Sequence, residues 1–202
     1  MAREPHRFLR SETGSVSAEA VIMLPIVLWA VMATFVFFDA FRVKTFSQKA
    51  AYTVADALSR ETNPVTANYV LGLSGLHDFL ARTNNTTMLR VSSIGRDADD
   101  GSLLVVWSVA APGATQLTTP FVNEFLADTL PEFPWGETII YVESQIDYEP
   151  LFTIGLPNMK FRQAIVTRPR FAPQIPFDDG SMIVAQQFGP PSCDDGMELC
   201  GN

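Results

Sequence analysis

Glu19 is the residue whose chemistry most needs a partner. It borders Ala20–Phe38, AVIMLPIVLWAVMATFVFF, nineteen residues without a charge, closed by Asp39. A carboxylate held in hydrocarbon costs about 3 kcal/mol on insertion scales, so it seeks a cation or a wet edge. Two readings stand: Glu19 pairs with a positive group on a neighbouring helix or its own, or it sits as a solvated flank. The other reactive types are sparse. His6 lies near the N-terminus and His77 in a helical stretch, where a lone histidine is more often a surface or satisfied residue than a base. Asp99/Asp100, Asp178/Asp179 and Asp194/Asp195 each adjoin a glycine, the composition of turns. With Asp97 the first pair invites a calcium reading, but the spacing is not that of an EF-hand loop, so a hairpin turn is preferred. There is no G-x-S-x-G, Walker loop or H-E-x-x-H, and a carboxylate-only hydrolase is the weakest of the functional readings. No cofactor and no metal site is expected.

The elements that would position Glu19 follow from composition. The chain has 202 residues, 47% of them apolar and 18% charged, with a formal charge of -8. That is enough apolar material for a core and the wrong charge for a nucleic-acid partner. Charge is unevenly placed: residues 1–49 hold six Lys/Arg against four acids, and residues 50–202 hold eight against eighteen. The uncharged run would make about 28 Å of helix, close to the hydrocarbon thickness of a bilayer. A removable signal peptide fits less well, because its apolar region is shorter and no A-x-A site follows Phe38. Arg3, Arg7 and Arg10 precede the run and Arg42, Lys44 and Lys49 follow it, so positive charge alone hardly orients it. Long domains translocate largely regardless of charge, which favours the short head inside and the acidic body outside. Cys193 and Cys200 enclose DDGMEL; a disulfide in an oxidising space is preferred over two separate thiols.

The junction Gly14-Ser15-Val16-Ser17-Ala18-Glu19, with Pro25 six residues on, reads G-SVSA-E-AVIML-P. In this it resembles the TadE-like family, minor pseudopilins of the tight-adherence branch of type IV pili, over roughly residues 7–60. The acid at the far end of the run, Asp39, and the segment Ile146–Phe152 are also similar to such proteins. The resemblance implies a leader, residues 1–14, removed by a prepilin peptidase at the cytoplasmic face. Ser15 would then be the new N-terminus and Glu19 the fifth residue of the mature chain. It further implies a bacterial inner-membrane, single-pass protein whose partners are other pilin-like subunits, the pilus assembly platform and the lipid bilayer. Cleavage would create a positive α-amine on Ser15. Pairing of that amine with Glu19, on the same helix or the next subunit, would set the axial register of spans that are otherwise free to slide. Pro25 removes one intrahelical hydrogen bond and is either a functional kink or a harmless one.

Beyond the span the pattern predicts an extracytoplasmic domain, residues 41–202, attached to a transmembrane helix over 15–40. Val43, Phe46, Ala50, Val54, Ala57 and Leu58 recur at helical spacing, so helix one is expected over about 17–60, until Glu61-Thr62-Asn63-Pro64 stops it. A second helix is expected over Val65–Arg82. Strands are expected at Met88–Ile94 and Ser102–Ala110, with Leu103, Val105, Trp107 and Val109 on one face. A short helix opens at Thr119-Pro120, with Phe121, Val122, Phe125 and Leu126 inward, and ends by Pro131. Strands at Thr138–Tyr148 and Phe161–Thr167 precede an irregular proline-rich tail. The fold class is therefore α+β, a long N-terminal helix packed on an antiparallel sheet of about four strands, pilin-like in plan. The expected function is that of a minor pilin-like subunit and not an enzyme. The alternative is an uncleaved, membrane-anchored scaffold or binding protein.

Overall fold

The structure, a computed structural model, describes residues 15–82, 87–97, 100–111, 113–180 and 183–184. It divides into two units. One comprises α1 up to Arg42 together with Glu149–Asn158; the other comprises Val43–Tyr148 and the chain from Met159 onward.

Helix α1 (Ser15–Ser59) runs uninterrupted for 45 residues, roughly 67 Å at the α-helical rise. Its side chains change regime along its length. All those from Val16 to Val31 are exposed, apolar ones included. Further on, Val36, Ala40, Ser47, Ala50, Val54 and Leu58 form a buried stripe at spacings of three, four and seven residues. The predicted amphipathic second half is therefore present, and it ends at Ser59, where the hydroxyl donates to the Asp56 carbonyl at 2.8 Å.

The second helix begins later than its periodicity predicts. Val65–Thr66 form β1, paired in parallel with β6 (Phe177–Asp178), which pairs antiparallel with β7 (Ile183–Val184). Helix α2 (Ala67–Ala81) then starts with the Thr66 side chain accepting from the Tyr69 N–H at 3.2 Å, a standard N-cap. It stops at Arg82, whose left-handed φ of 54° ends the helical path.

The main sheet has strand order β3-β2-β4-β5, every neighbour antiparallel: β2 (Met88–Arg96), β3 (Leu103–Ala110), β4 (Ile139–Tyr148) and β5 (Met159–Thr167). Residues 43–59 of α1 and helix α2 pack on one face. Val54, Leu58, Val70 and Leu73 meet Leu89, Val91, Trp107, Val109, Ile140 and Val142 there. Burying these side chains supplies the main stabilisation of the head, on the order of 1.5–3 kcal/mol for each large aliphatic. The α+β architecture and the four-strand sheet stand as the pattern predicts.

Two local expectations are corrected. Leu103, Val105, Trp107 and Val109 do not share a face. A β-bulge shifts the register between Ser93 and Ile94, which pair with Trp107 and Val105, so Val106 is the extra residue. Trp107 and Val109 stay in the helix-side core, while Leu103 and Val105 turn to the opposite face. There they join Ile94, Ile139 and Tyr141 under Leu117, Val122, Leu130 and Phe133. The predicted short helix is only α3 (Thr119–Phe121) running into a wider turn, Val122–Leu126. Val122 points inward and Leu126 packs partly, but Phe121 and Phe125 are exposed and lie against each other with tilted rings, centroids 4.9 Å apart.

Candidate functional site

The surface that sets this molecule apart is the first half of α1. Sixteen consecutive exposed positions, 16–31, carry a nearly unbroken apolar side-chain coat, with Val21 73% and Trp29 59% exposed. Such a surface is unfavourable in water on every side of the helix. This helix is long and apolar enough to cross a membrane.

Ser15 opens α1, and Glu19 lies four residues along, one turn in, exposed and without an ion pair among the described residues. The i, i+4 relation brings the Glu19 side chain over the first turn, where the free backbone N–H groups of a helix start carry partial positive charge. Helix α1 passes through Pro25 without a break, leaving the Val21 carbonyl without its usual N–H donor. Asp39, at the far end of the uncharged run, pairs with Arg42 at 2.9 Å, one turn on. Gly14, Cys193 and Cys200 lie outside the described residues.

The head has polar groups in numbers, and many of the described ones hold the fold; others, among them His77 Nε2 and the Ser47, Ser93 and Ser144 hydroxyls, are buried without a hydrogen-bond partner among the described residues. His77 is fully buried. Its Nδ1 lies 3.1 Å from the Thr87 hydroxyl, which donates to the Asp78 carboxylate. The Thr87 hydroxyl therefore accepts from Nδ1–H, and a chain of hydrogen bonds ties α2 to the start of β2. Burial lowers the His77 pKa below the usual imidazole value, outweighing the opposing pull of Asp78 and of the Ser47 backbone. Arg90 and Glu143 sit directly opposite on β2 and β4 and form a largely buried pair; Arg90 also donates to the Thr115 carbonyl at 3.0 Å. Burial, with the Glu143 charge beside it, raises the Tyr141 pKa. Asp56 on α1 bridges Arg60 and Arg170, each at 2.8 Å, and the Arg170 N–H bonds the Ser59 carbonyl.

Of the acidic pairs, Asp100 lies in the β2–β3 turn and Asp178 at the end of β6, while Asp99, Asp194 and Asp195 lie outside the described residues. Asp100 accepts from the Ser102 N–H at 2.8 Å, and Gly101, at a φ of 74°, lets the β2–β3 connection close. Hydrogen bonding from the Ser102 side chain first, and then from its N–H, holds the Asp100 carboxyl below its ordinary pKa. Asp178 likewise accepts from the Gly180 N–H at 2.9 Å. Among the described residues no three His, Cys, Asp or Glu side chains converge to hold a metal ion. A shallow cleft of about 460 Å³ between α1 and α2 is lined by Phe46, Lys49, Thr53, Phe79 and Arg82, with the Arg82 guanidinium 5.5 Å over the Phe46 ring. It presents cations and rings, not a nucleophile with a base.

Two anchoring contacts were not readable from the sequence. Trp107 Nε1 donates to the Ile175 carbonyl at 2.8 Å and its ring stacks on Phe177, 5.4 Å between centroids. These fasten the returning segment that carries β6. The Asn123 side chain both accepts from and donates to the backbone of Leu103, at 3.0 and 2.7 Å, and Thr119 accepts from the Val105 N–H. The free edge of β3 is thus covered by side chains from the 119–126 turn. Comparison with family models, curated proteins and solved structures gives no match to this chain.

Proposed function

We propose that this chain is a membrane-anchored, pilin-like subunit that works by helix packing and not by catalysis. In this reading a prepilin peptidase removes residues 1–14 at the cytoplasmic face, the first half of α1 spans the inner membrane, and the acidic α+β head stands on the extracytoplasmic side. The assembly served is a tight-adherence pilus, and the partners are its other pilin-like subunits and the membrane platform that extrudes them. The observation that carries the reading is the placement of Glu19: one exposed carboxylate, one turn from Ser15, on a helix segment whose other exposed side chains are almost all apolar. Apolar faces slide past one another in lipid with little preference. A single carboxylate paired with the Ser15 α-amine of a neighbour would fix one axial offset.

Glu19→Gln in the native host tests this. Co-purification of partner subunits with the variant should fall severalfold, while its membrane retention is unchanged. Co-purification at the parental level contradicts a register role. A second reading is favoured by Ser15 itself, since major pilins usually carry an apolar residue after the cleavage point. In it the leader stays and α1 simply tethers an extracytoplasmic scaffold or binding domain. The two differ in the N-terminus of the mature protein.

A further inference from the structure

The connection between β4 and β5 carries an unusual surface. From Pro150 to Met159, PLFTIGLPNM, it has no charge, between Glu149 and Lys160. Leu151 is 75% and Phe152 45% exposed, in a loop where polar residues are the rule. Yet this loop belongs to the same unit as the first 42 residues, which contain the apolar half of α1. A side-chain carbon at Gly155 would lie 3.9 Å from the Phe37 ring, and Gly155 takes a left-handed φ of 79°, so the backbone itself comes close to α1. Phe37 lies two residues before Asp39, about 3 Å of helix rise inside the uncharged run. Phe35, Phe38 and Phe41 are exposed at the same level.

From this placement we infer that residues 150–158 form a second membrane contact, a loop that lays Leu151 and Phe152 into the headgroup–acyl boundary beside the point where α1 leaves the bilayer. The inference rests on the membrane-anchor part of the proposed function. Continuity decides the occupant. The loop packs on α1 at a residue that belongs to the lipid-facing run, so its exposed apolar side chains border the same phase. The absence of charge over ten residues permits shallow burial, and the ends of the stretch carry charges that stop deeper entry. Two contacts instead of one would restrict the tilt and rotation of the anchor, which matters to a helix that must present Glu19 to a neighbour.

Spin labels read this directly. In full-length protein with Cys193→Ser and Cys200→Ser, single labels are placed by Phe152→Cys, by Val27→Cys in the span and by Asp100→Cys at the acidic hairpin tip. The protein is reconstituted at one copy per nanodisc of mixed zwitterionic and anionic lipid. Collision with oxygen, which partitions into lipid, is compared with collision with a water-soluble nickel chelate. The label at 152 should favour oxygen over nickel severalfold, like the label at 27 and unlike the label at 100. Leu151→Cys gives the same reading should the label at 152 disturb folding. Nickel contact at 151 and 152, with oxygen dominance at 27, overturns the loop contact and leaves the anchor standing. Nickel contact at 27 removes the anchor, and the loop inference with it. A site at 151 and 152 shielded from both reagents means that protein covers it, and that result also overturns lipid contact.

Discussion

At the scale of single residues, two acid–base groups have distinct jobs. In the proposed function Glu19 acts through charge at a place where charge is scarce. A pair between a carboxylate and a cation at a helix start in a partly buried setting is worth on the order of 1–2 kcal/mol, or roughly 5–30-fold in association. Glu19→Ala should weaken partner association by about that factor, measured by quantitative crosslinking in membranes, with Glu19→Asp restoring part of it. His77 acts through its neutrality. Its folded-state pKa is depressed by burial, so the unfolded chain binds the extra proton more readily. The stability gained from the neutral ring is whole above the ordinary pKa of 6.5 and is lost as pH falls below it. Thermal unfolding of the detergent-solubilised protein should show a midpoint that drops as pH falls below about 6.5, and His77→Gln should flatten that slope. An equal drop in the variant would remove His77 as its cause. A single helical histidine gave no hint of this, because its partner Thr87 lies ten residues on, across a turn, and only the fold brings them together.

Elements explain why α1 is one helix with two environments. Its second half carries a stripe that fits the sheet, and Leu58 lies at the centre of that contact, fully buried. Leu58→Ala should cost about 2–5 kcal/mol of head stability by chemical denaturation without releasing the protein from membranes. At the opposite side of the sheet, Asn123→Ala would free the backbone of Leu103 on the edge of β3. About 1 kcal/mol of stability should go with it, together with concentration-dependent association seen by light scattering. The spacing of apolar residues was sufficient to place α1, most of α2 and all four main strands, because each has one strongly periodic face. It failed at β3 for a physical reason. The bulge is a property of the pairing with β2, and a single strand does not show it. One signal was present: Leu103-Leu104-Val105-Val106-Trp107 and Ile139-Ile140-Tyr141-Val142 are unbroken apolar runs, the mark of strands covered on both faces. The covering segment, 111–135, has too little periodicity to declare itself, and β1 is too short to compete with the helical pattern that surrounds it.

Across the whole molecule, charge and apolarity are partitioned lengthwise. The apolar run and the basic N-terminal residues lie in the first 49 positions, while residues 50–202 hold eighteen acids against eight basic residues. An acidic head is repelled by anionic headgroups and polyanions. The protein in neutral detergent should therefore show no salt-sensitive binding to an anionic polymer, and retention that fades with added salt would contradict this distribution of charge. A helix long and apolar enough to cross a membrane, and the acid at its border, were legible from composition, since nineteen consecutive residues without a charge match the depth of a bilayer and exceed what a half-buried helix tolerates. The state of the N-terminus separates an assembling subunit from a plain tether. Intact-mass measurement of the protein purified from its native host decides it. A mature chain beginning at Ser15 is the expected result; a chain that still carries Met1 to Gly14 contradicts the account.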